Sequence, residues 1–411
     1  MNIWLIKDGE NQPLVPNSRK MRTWILGEVL QERGHNVTWW CSTFYHQGKE
    51  LLFDHDAVSE VKAQFNQRLL HAGTYKKNFS FRRFLHHRRL AKRFSACAKK
   101  LPAPDIIVSA MPIIDLAHAA VRFSKEKSIP IVIDVRDMWP DTIVDEFPRP
   151  FKTFARLVLD GYFRMTKELL TDADGIVAVS RGCLQWGVRI AGRPQRSTDR
   201  VFYIGYQPNP VIDATRSKYA ELAHDKVVFS FVGTFGKTYD FDTVISTAKR
   251  LCQERNTRIH FVFAGTGEQY DEVCRQVNEL PNVTMLGWIN KEDILHLMSI
   301  SHVGMMPAGA GKSNYNAMPN KPFEYFSAAI PIVSSLQGEM EALIDAYSVG
   351  YSYPPGDVAS FYRIVTLLSA DSALRSELGA NARKLYESQF RSDMIYGQYA
   401  DYIENLASAR G

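Results

Sequence analysis

Eleven short runs rich in β-branched and aromatic residues recur along the chain, each separated from the next by a stretch with helical periodicity. Few folds accept that alternation. The runs are Asn2–Ile6, Asn36–Cys41, Asp105–Ser109, Pro130–Val135, Gly175–Val179 and Val201–Ile204, then Val227–Val232, Arg258–Ala264, Asn282–Leu286, His302–Met306 and Pro331–Ser334. Short apolar strands joined by amphipathic helices predict parallel βαβ units, so the expected class is α/β. Ligands of such sheets collect beyond the carboxyl ends of the strands. The polar segments that directly follow a run are therefore the first places to look for chemistry.

A chain of 411 residues is too long for one ordinary domain. Helical patterning breaks at Ala191-Gly192-Arg193-Pro194 and again at Gln207-Pro208-Asn209-Pro210, and a new strand–loop–helix series opens at Val227. The expected division is residues 1–195 as a first domain, 210–375 as a second, and 376–411 as C-terminal helices that cross back to brace the first.

Composition narrows the class of function. No apolar run reaches the roughly 18–20 residues that span a bilayer. The opening Met1-Asn2-Ile3-Trp4-Leu5-Ile6-Lys7-Asp8 lacks the basic region and cleavage site of a signal peptide. A cytoplasmic protein is expected, peripheral at the inner face of the plasma membrane if it meets a bilayer. Five scattered cysteines form no C-x-x-C pair, so neither a disulfide framework nor a zinc site is expected. The net charge of +6 is unevenly spread: residues 61–104 carry no acid but twelve Lys and Arg, with Phe79, Phe81, Phe84 and Phe94 interleaved. Such a run suits an anionic membrane surface or a phosphorylated acceptor, or is simply a solvated helix face. No nucleic-acid module accompanies it, so no nucleic-acid partner is expected.

The segment Met318-Pro319-Asn320-Lys321-Pro322-Phe323-Glu324-Tyr325 reads as a polar loop starting a short helix at Pro319 and Asn320. A helix start suits a diphosphate, Lys321 adds a full charge, and Glu324 one turn in can accept hydrogen bonds from ribose hydroxyls. An ordinary capped helix before the strand Pro331–Ser334 explains the same letters. Two glycine loops follow strands of the second half. Gly233-Thr234-Phe235-Gly236-Lys237 lets backbone approach phosphate oxygens, with Lys237 adding charge, and Gly265-Thr266-Gly267 offers a similar close approach. Tyr270 stands where a dinucleotide fingerprint needs its third glycine, which excludes that motif. In the first half, Asp134-Val135-Arg136-Asp137-Met138-Trp139-Pro140-Asp141 ends a strand. Asp137 there can act as a proton acceptor with Arg136 orienting a substrate, or Asp137 and Asp141 can cap the turn. Asp8, Arg19 and Arg22 lie between the first strand and the next helix, where an acceptor phosphate would sit or where Arg19 would face solvent. Asp172-Ala173-Asp174 matches a metal signature in letters only, and no metal ligands are expected.

Taken in order, these segments resemble glycosyltransferase family 4, and within it the bacterial enzymes that build O-antigen, capsule and related surface polysaccharides. Arg33-Gly34-His35-Asn36-Val37 is similar to the R-G-H-x-V at the family's second strand. Asp134–Pro140 resembles its D-V-R-D-L-W-P, Ala178-Val179-Ser180 its V-S, Gly233–Lys237 its phosphate loop, and Pro319–Tyr325 its P-N-K-x-F-E-Y donor motif. The resemblance implies a GT-B fold, two Rossmann-like domains facing a cleft with a C-terminal helical crossover. It implies a retaining, metal-independent hexosyl- or N-acetylhexosaminyltransferase without a cofactor. The donor, a nucleotide sugar and by family habit a UDP-sugar, would be held by Gly233, Gly236, Gly265, Gly267, Asn316, Pro319, Asn320 and Glu324, and Lys237 and Lys321 would steady the departing diphosphate. The acceptor would be a polyprenyl-diphosphate-linked or other saccharide. The chain departs from the family at Asn316, where the first acid of its E-x7-E pair belongs, and at Tyr203-Ile204-Gly205-Tyr206, which replaces an I-P-N-G-V segment. A GT-B nucleotide-sugar epimerase or hydrolase, or a non-catalytic assembly partner, are the competing expectations.

Overall fold

The structure is a computed structural model that describes residues 1–16, 18–78, 80–207, 212–311 and 318–409. It divides into two compact units. Residues Met1–Tyr203 and Ile395–Gly411 form the first and Ile204–Met394 the second.

The first unit contains β1 (Asn2–Ile6), α1 (Arg22–Glu32), β2 (Asn36–Ser42), β3 (Phe44–Tyr45), β4 (Glu50–Leu51), β5 (Ala57–Lys62) and β6 (Phe65–Leu70). It continues through α2 (Phe81–Ala98), β7 (Ile106–Ala110), α3 (Ile114–Lys127), β8 (Ile131–Val135), α4 (Asp141–Asp145), α5 (Lys152–Val158), α6 (Asp160–Asp172), β9 (Gly175–Ala178), α7 (Arg181–Ala191) and β10 (Arg200–Val201). Its eight-stranded sheet has the order β10-β9-β8-β7-β1-β2-β6-β5. Every pairing is parallel except β5 on β6. β5 and β6 are not among the expected runs, because Phe65-Asn66-Gln67-Arg68 alternates apolar and polar residues too weakly to stand out.

The second unit contains β11 (Val227–Val232), α8 (Phe241–Gln253), β12 (Ile259–Ala264), α9 (Tyr270–Val277), β13 (Val283–Gly287), α10 (Lys291–Ile300) and β14 (Val303–Met306). α11 (Asn320–Ser327), β15 (Ile332–Ser334), α12 (Glu339–Tyr347), β16 (Gly350–Ser352), α13 (Val358–Ala370) and α14 (Ser372–Leu385) follow, then a π turn at Tyr386–Phe390; the last helix, α15 (Ser392–Ser408), starts in this unit and from Ile395 belongs to the first. Its all-parallel sheet runs β13-β12-β11-β14-β15-β16, with the order reversing between β11 and β14. Both sheets thus have the doubly wound arrangement of a Rossmann-like domain.

The tail divides differently from the expectation of 376–411 as a single brace. Residues 376–394 belong to the second unit. There Phe390 stacks on Phe323 of α11 at 4.1 Å, and Arg383 donates to the Ser327 carbonyl. Only from Ile395 does the chain join the first unit. Ile395, Tyr396, Tyr399, Ala400 and Ile403 form one helical stripe buried in the core with Leu5, Leu26, Trp39 and Val132. Phe202 stacks on Tyr399 with ring centroids 4.5 Å apart. The Arg33-Gly34-His35 segment has a structural role here: Arg33 pairs with Asp401 at 2.6 Å and Glu404 at 3.1 Å, and His35 meets Glu404 at 2.8 Å.

Candidate functional site

In the second unit, three segments meet at the carboxyl ends of β11 and β12, beside the reversal of strand order where doubly wound sheets take ligands. The loop after β11 carries Gly233, the loop after β12 carries Gly265 and Gly267, and α11 opens at Asn320. The glycines knit these loops together. Gly233 N–H donates to the Ala264 carbonyl at 2.8 Å, and Phe235 N–H to the Thr266 carbonyl at 2.9 Å. A β-carbon on Gly265 would lie 1.8 Å from the Gly233 carbonyl oxygen, and one on Gly267 would lie 2.7 Å from Phe235 backbone. Gly265 and Gly267 are therefore required for loop-on-loop packing, whatever else approaches them. Gly236 accepts from Gln269 through its carbonyl at 2.6 Å.

Lys321 reaches back over Gly233. A β-carbon there would fall 2.0 Å from its Cε and Nζ. The ammonium donates to the Tyr239 hydroxyl at 2.8 Å and lies 4.5 Å above Phe231 and 4.4 Å above Tyr239. Burial pushes it down to about 8, against the opposing pull of Glu324. α11 is fixed from behind. Tyr325 donates to the Ser230 carbonyl at 2.9 Å and accepts from Val232 N–H at 3.2 Å. No side chain caps the helix after Pro319, and Asn320 Oδ1 is buried with no hydrogen-bond partner. Glu324 is only 7% exposed and accepts the Tyr206 hydroxyl proton at 2.5 Å. Together these bring a partly desolvated cation, an uncapped helix start, an orphan polar atom and a buried carboxylate to one place.

One residue expected here stands elsewhere, and another is not described. Lys237 is 77% exposed and pairs with Glu268 at 2.7 Å, because the turn after Gly236 carries it to the surface. Asn316 lies outside the described residues. Sequence reasoning missed Tyr239 and named Tyr325 only as the last letter of the donor motif, without a role of its own. It noted Tyr206 only as a departure, although an aromatic hydroxyl at that place is what meets Glu324.

In the first unit, Arg136 and Arg22, expected in catalysis and acceptor binding, are both held by buried carboxylates. Arg22 is 3% exposed and bonds Asp134 at 2.9 and 3.3 Å and the Phe202 carbonyl at 2.8 Å. Arg136 bonds the same Asp134 at 2.8 Å, Thr23 at 3.0 Å, and Glu10. Burial opposes ionisation of Asp134, but the two guanidinium groups outweigh it and hold the carboxyl below its ordinary value. Asp8 is buried too. It accepts from Ser42 N–H at 2.8 Å and Oγ at 2.6 Å, and faces His86 Nε2 at 3.4 Å. Arg19 is exposed, and its carbonyl accepts from Asn11. Asp137 closes its own turn, accepting from Met138 N–H at 2.7 Å and Thr142 Oγ1 at 3.1 Å through one oxygen. Burial raises its pKa. Asp141 accepts from Trp186, and Asp174 holds Ile131 N–H. No group of three or more His, Cys, Asp or Glu fit for a metal ion occurs among the described residues.

Comparison with known proteins follows the same division. Residues 22–199 match the family model "Glycosyltransferase Family 4" and residues 213–385 match "Glycosyl transferases group 1". The chain is 25% identical over 126 residues to the amylovoran biosynthesis glycosyltransferase AmsK of Erwinia amylovora. That alignment covers 30% of this chain and 31% of AmsK, so it spans about a third of the relative's length. Among solved structures, the sucrose-phosphate synthase of Thermosynechococcus elongatus superposes with a TM-score of 0.75 at 17% identity over 99% of both chains. HepE of Anabaena in complex with UDP superposes with a TM-score of 0.70 at 14% identity over 98% of this chain and 100% of that one. At those identities the structures show a shared fold, the GT-B fold.

Proposed function

We propose that this chain, which belongs to glycosyltransferase family 4, binds a UDP-sugar in the second unit and transfers the sugar, with retention at its anomeric carbon, to a phosphate-bearing saccharide acceptor during assembly of a surface polysaccharide. AmsK, a partial relative, is named for amylovoran biosynthesis, and HepE is described with UDP and with UDP-glucose; both support the reading. The observation that carries it is the position of Lys321 over Gly233 beside the uncapped start of α11. As the bond from the anomeric carbon to the diphosphate breaks, negative charge gathers on the leaving oxygen. A fixed cation and helix-end N–H groups stabilise that charge more than the ground state. The acceptor oxygen forms the new bond on the same face of the sugar. Its proton passes to the leaving phosphate or to Asp137, whose raised pKa suits a proton acceptor. Glu324, oriented by Tyr206, accepts from the ribose hydroxyls. Catalysis in this reading runs without a metal ion.

Work at an anionic membrane has its own support in the first unit. α2 exposes Arg82, Arg88, Arg89 and Lys92. Beside it, Phe84 packs in one cluster with Ala155 and Leu159 at the α5–α6 junction, whose outer face leaves Phe154, Leu157 and Val158 at least 65% exposed. Phe81, one turn before Phe84 on the same helix face, is 80% exposed. Cations beside exposed aromatics suit an anionic bilayer interface. No helix among the described residues is long and apolar enough to cross a membrane.

The test is a screen of UDP-sugars with lipid-linked and soluble acceptors, read by mass spectrometry. Lys321→Ala and Glu324→Ala are each expected to slow transfer at least about tenfold, roughly 1.4 kcal/mol of transition-state stabilisation. Wild-type rates in both variants would remove the donor assignment.

A further inference from the structure

We infer that the first unit holds a built phosphate site formed by Lys7, Arg83 and His87, which recognises the phosphate of the acceptor. The inference rests on the transferase reading above and names the charged group of its second substrate. Lys7 directly follows β1, where the strand order of the first sheet reverses between β1 and β7. Its N–H and carbonyl are held by Trp40 and Trp39 at 3.0 and 2.8 Å. The side chain is buried, yet among the described residues its ammonium makes no ion pair or hydrogen bond. The carboxylates closest in sequence are already engaged, Asp8 by Ser42 and His86 and Glu10 by Arg136 and Thr23. Burial and Arg136 push the ammonium down to about 8, with Arg83 adding to them and Glu10 and Asp8 pulling the other way.

Arg83 comes from the first turn of α2. Its guanidinium lies 4.8 Å over Trp139 and 5.8 Å over Tyr75, and one arm donates to the Asn78 carbonyl at 2.6 Å. Its Nε is buried without a partner. His87, one turn on, is 2% exposed, sits 6.2 Å from Trp139, and has Nε2 likewise without a partner. Lys49 adds charge at the edge, 5.1 Å over Tyr75. Asp137 lies within the field of Lys7 and Arg83, and burial biases its carboxyl toward the neutral form.

A buried guanidinium nitrogen and a buried imidazole nitrogen without partners, beside a buried ammonium that no carboxylate pairs directly, are an expensive arrangement for a fold to keep. An anion that accepts from all three removes that cost. A phosphate dianion suits Lys7 and Arg83 together, whereas a carboxylate balances only one of them. Trp139, half-buried and flanking Arg83, offers a ring for the attached sugar. The same phosphate chemistry comes from a soluble sugar phosphate or from the head of a lipid-linked one.

The test has three parts, all with the full chain. With UDP saturating the second unit, inorganic phosphate should raise the thermal midpoint of the wild type. The rise should be lost in Lys7→Met and Arg83→Gln, with UDP affinity unchanged. Without phosphate, Lys7→Met should melt above the wild type, because an unpaired buried charge is gone; a lysine needed only for packing gives the opposite sign. In transfer assays, Arg83→Gln and His87→Gln should each raise KM at least tenfold, for a soluble hexose phosphate or for a sugar diphosphate lipid in micelles, whichever the enzyme uses. The inference is overturned by a wild type indifferent to phosphate, by variants with unaltered KM, or by a neutral glycoside used as well as the phosphorylated acceptor. Loss of UDP binding in the wild type would instead sink the donor reading and leave the phosphate titration standing.

Discussion

A β-carbon on Gly233 would lie 2.0 Å from the ammonium nitrogen of Lys321, so the glycine loop and the lysine of α11, 88 positions apart, are in direct contact. Gly233 also sits at φ +152°, where L side chains are rarely found. Gly233→Ala is therefore expected to push Lys321 out of place and weaken UDP binding at least about tenfold, or 1.4 kcal/mol. Isothermal titration with UDP checks this, and circular dichroism should show the fold retained.

Lys321 makes UDP binding pH-dependent. Its folded value of about 8 lies below the 10.5 of a free lysine. The charged form is thus disfavoured by the fold, and that penalty is relieved as pH rises from 8 toward 10.5. A diphosphate reverses the preference and draws a proton onto the amine. UDP affinity should fall as pH climbs above about 8, by up to roughly tenfold per unit, with net proton uptake on binding. Calorimetry in buffers of different ionisation heat reads the uptake directly, and none at pH 8.5 would mean that Lys321 does not face the ligand.

Tyr206→Phe removes the hydroxyl that orients Glu324. A lost hydrogen bond to a charged group is worth about 1.5 kcal/mol, so donor KM should rise roughly tenfold with a smaller change in kcat. Steady-state kinetics separates the two, and an unchanged KM would mean that Glu324 is oriented without it.

Arg22→Ala leaves Asp134 with one of its two guanidinium partners and should cost roughly 3–5 kcal/mol in urea unfolding. Asp134 is ionised more readily in the fold than when free, so its contribution is present above about pH 4 and is lost as pH falls below that. A small loss in Arg22→Ala would argue that the arginine is free to serve a substrate after all.

Replacing Phe154 and Leu157 by serine, or Arg82, Arg88 and Arg89 by glutamate, should each weaken sedimentation with vesicles of mixed phosphatidylcholine and phosphatidylglycerol at least fivefold. Pure phosphatidylcholine should bind the wild type weakly. Equal binding by both variants would confine the basic helix to a solvated role.

The α/β class was legible because the strands are buried on both faces and written in continuous apolar letters. Val227–Val232 and Ile131–Val135 are fully buried. β5 and β6 were not, since β5 at the sheet edge is only partly buried and β6 opens with one apolar residue followed by Asn66, Gln67 and Arg68. Lys321 and Glu324 stood out because a helix start with a cation is compact in sequence. Arg22 and Arg136 looked available because nothing local shows that Asp134 and Glu10 fold onto them from 112 and 126 residues away. Tyr206 and Lys7 were hidden for the same reason: their meaning lies in distant neighbours.

The stripe of Tyr396, Tyr399 and Ile403 within the first sheet's core has a consequence for biosynthesis. During translation β1 and β2 emerge long before Tyr396, Tyr399 and Ile403, which fill one side of their interior. The second unit, made later, has its own residues in hand sooner. The unit whose strands are made first is thus completed only after the second unit has been made, and Arg33 and His35 hold the later helix through Asp401 and Glu404.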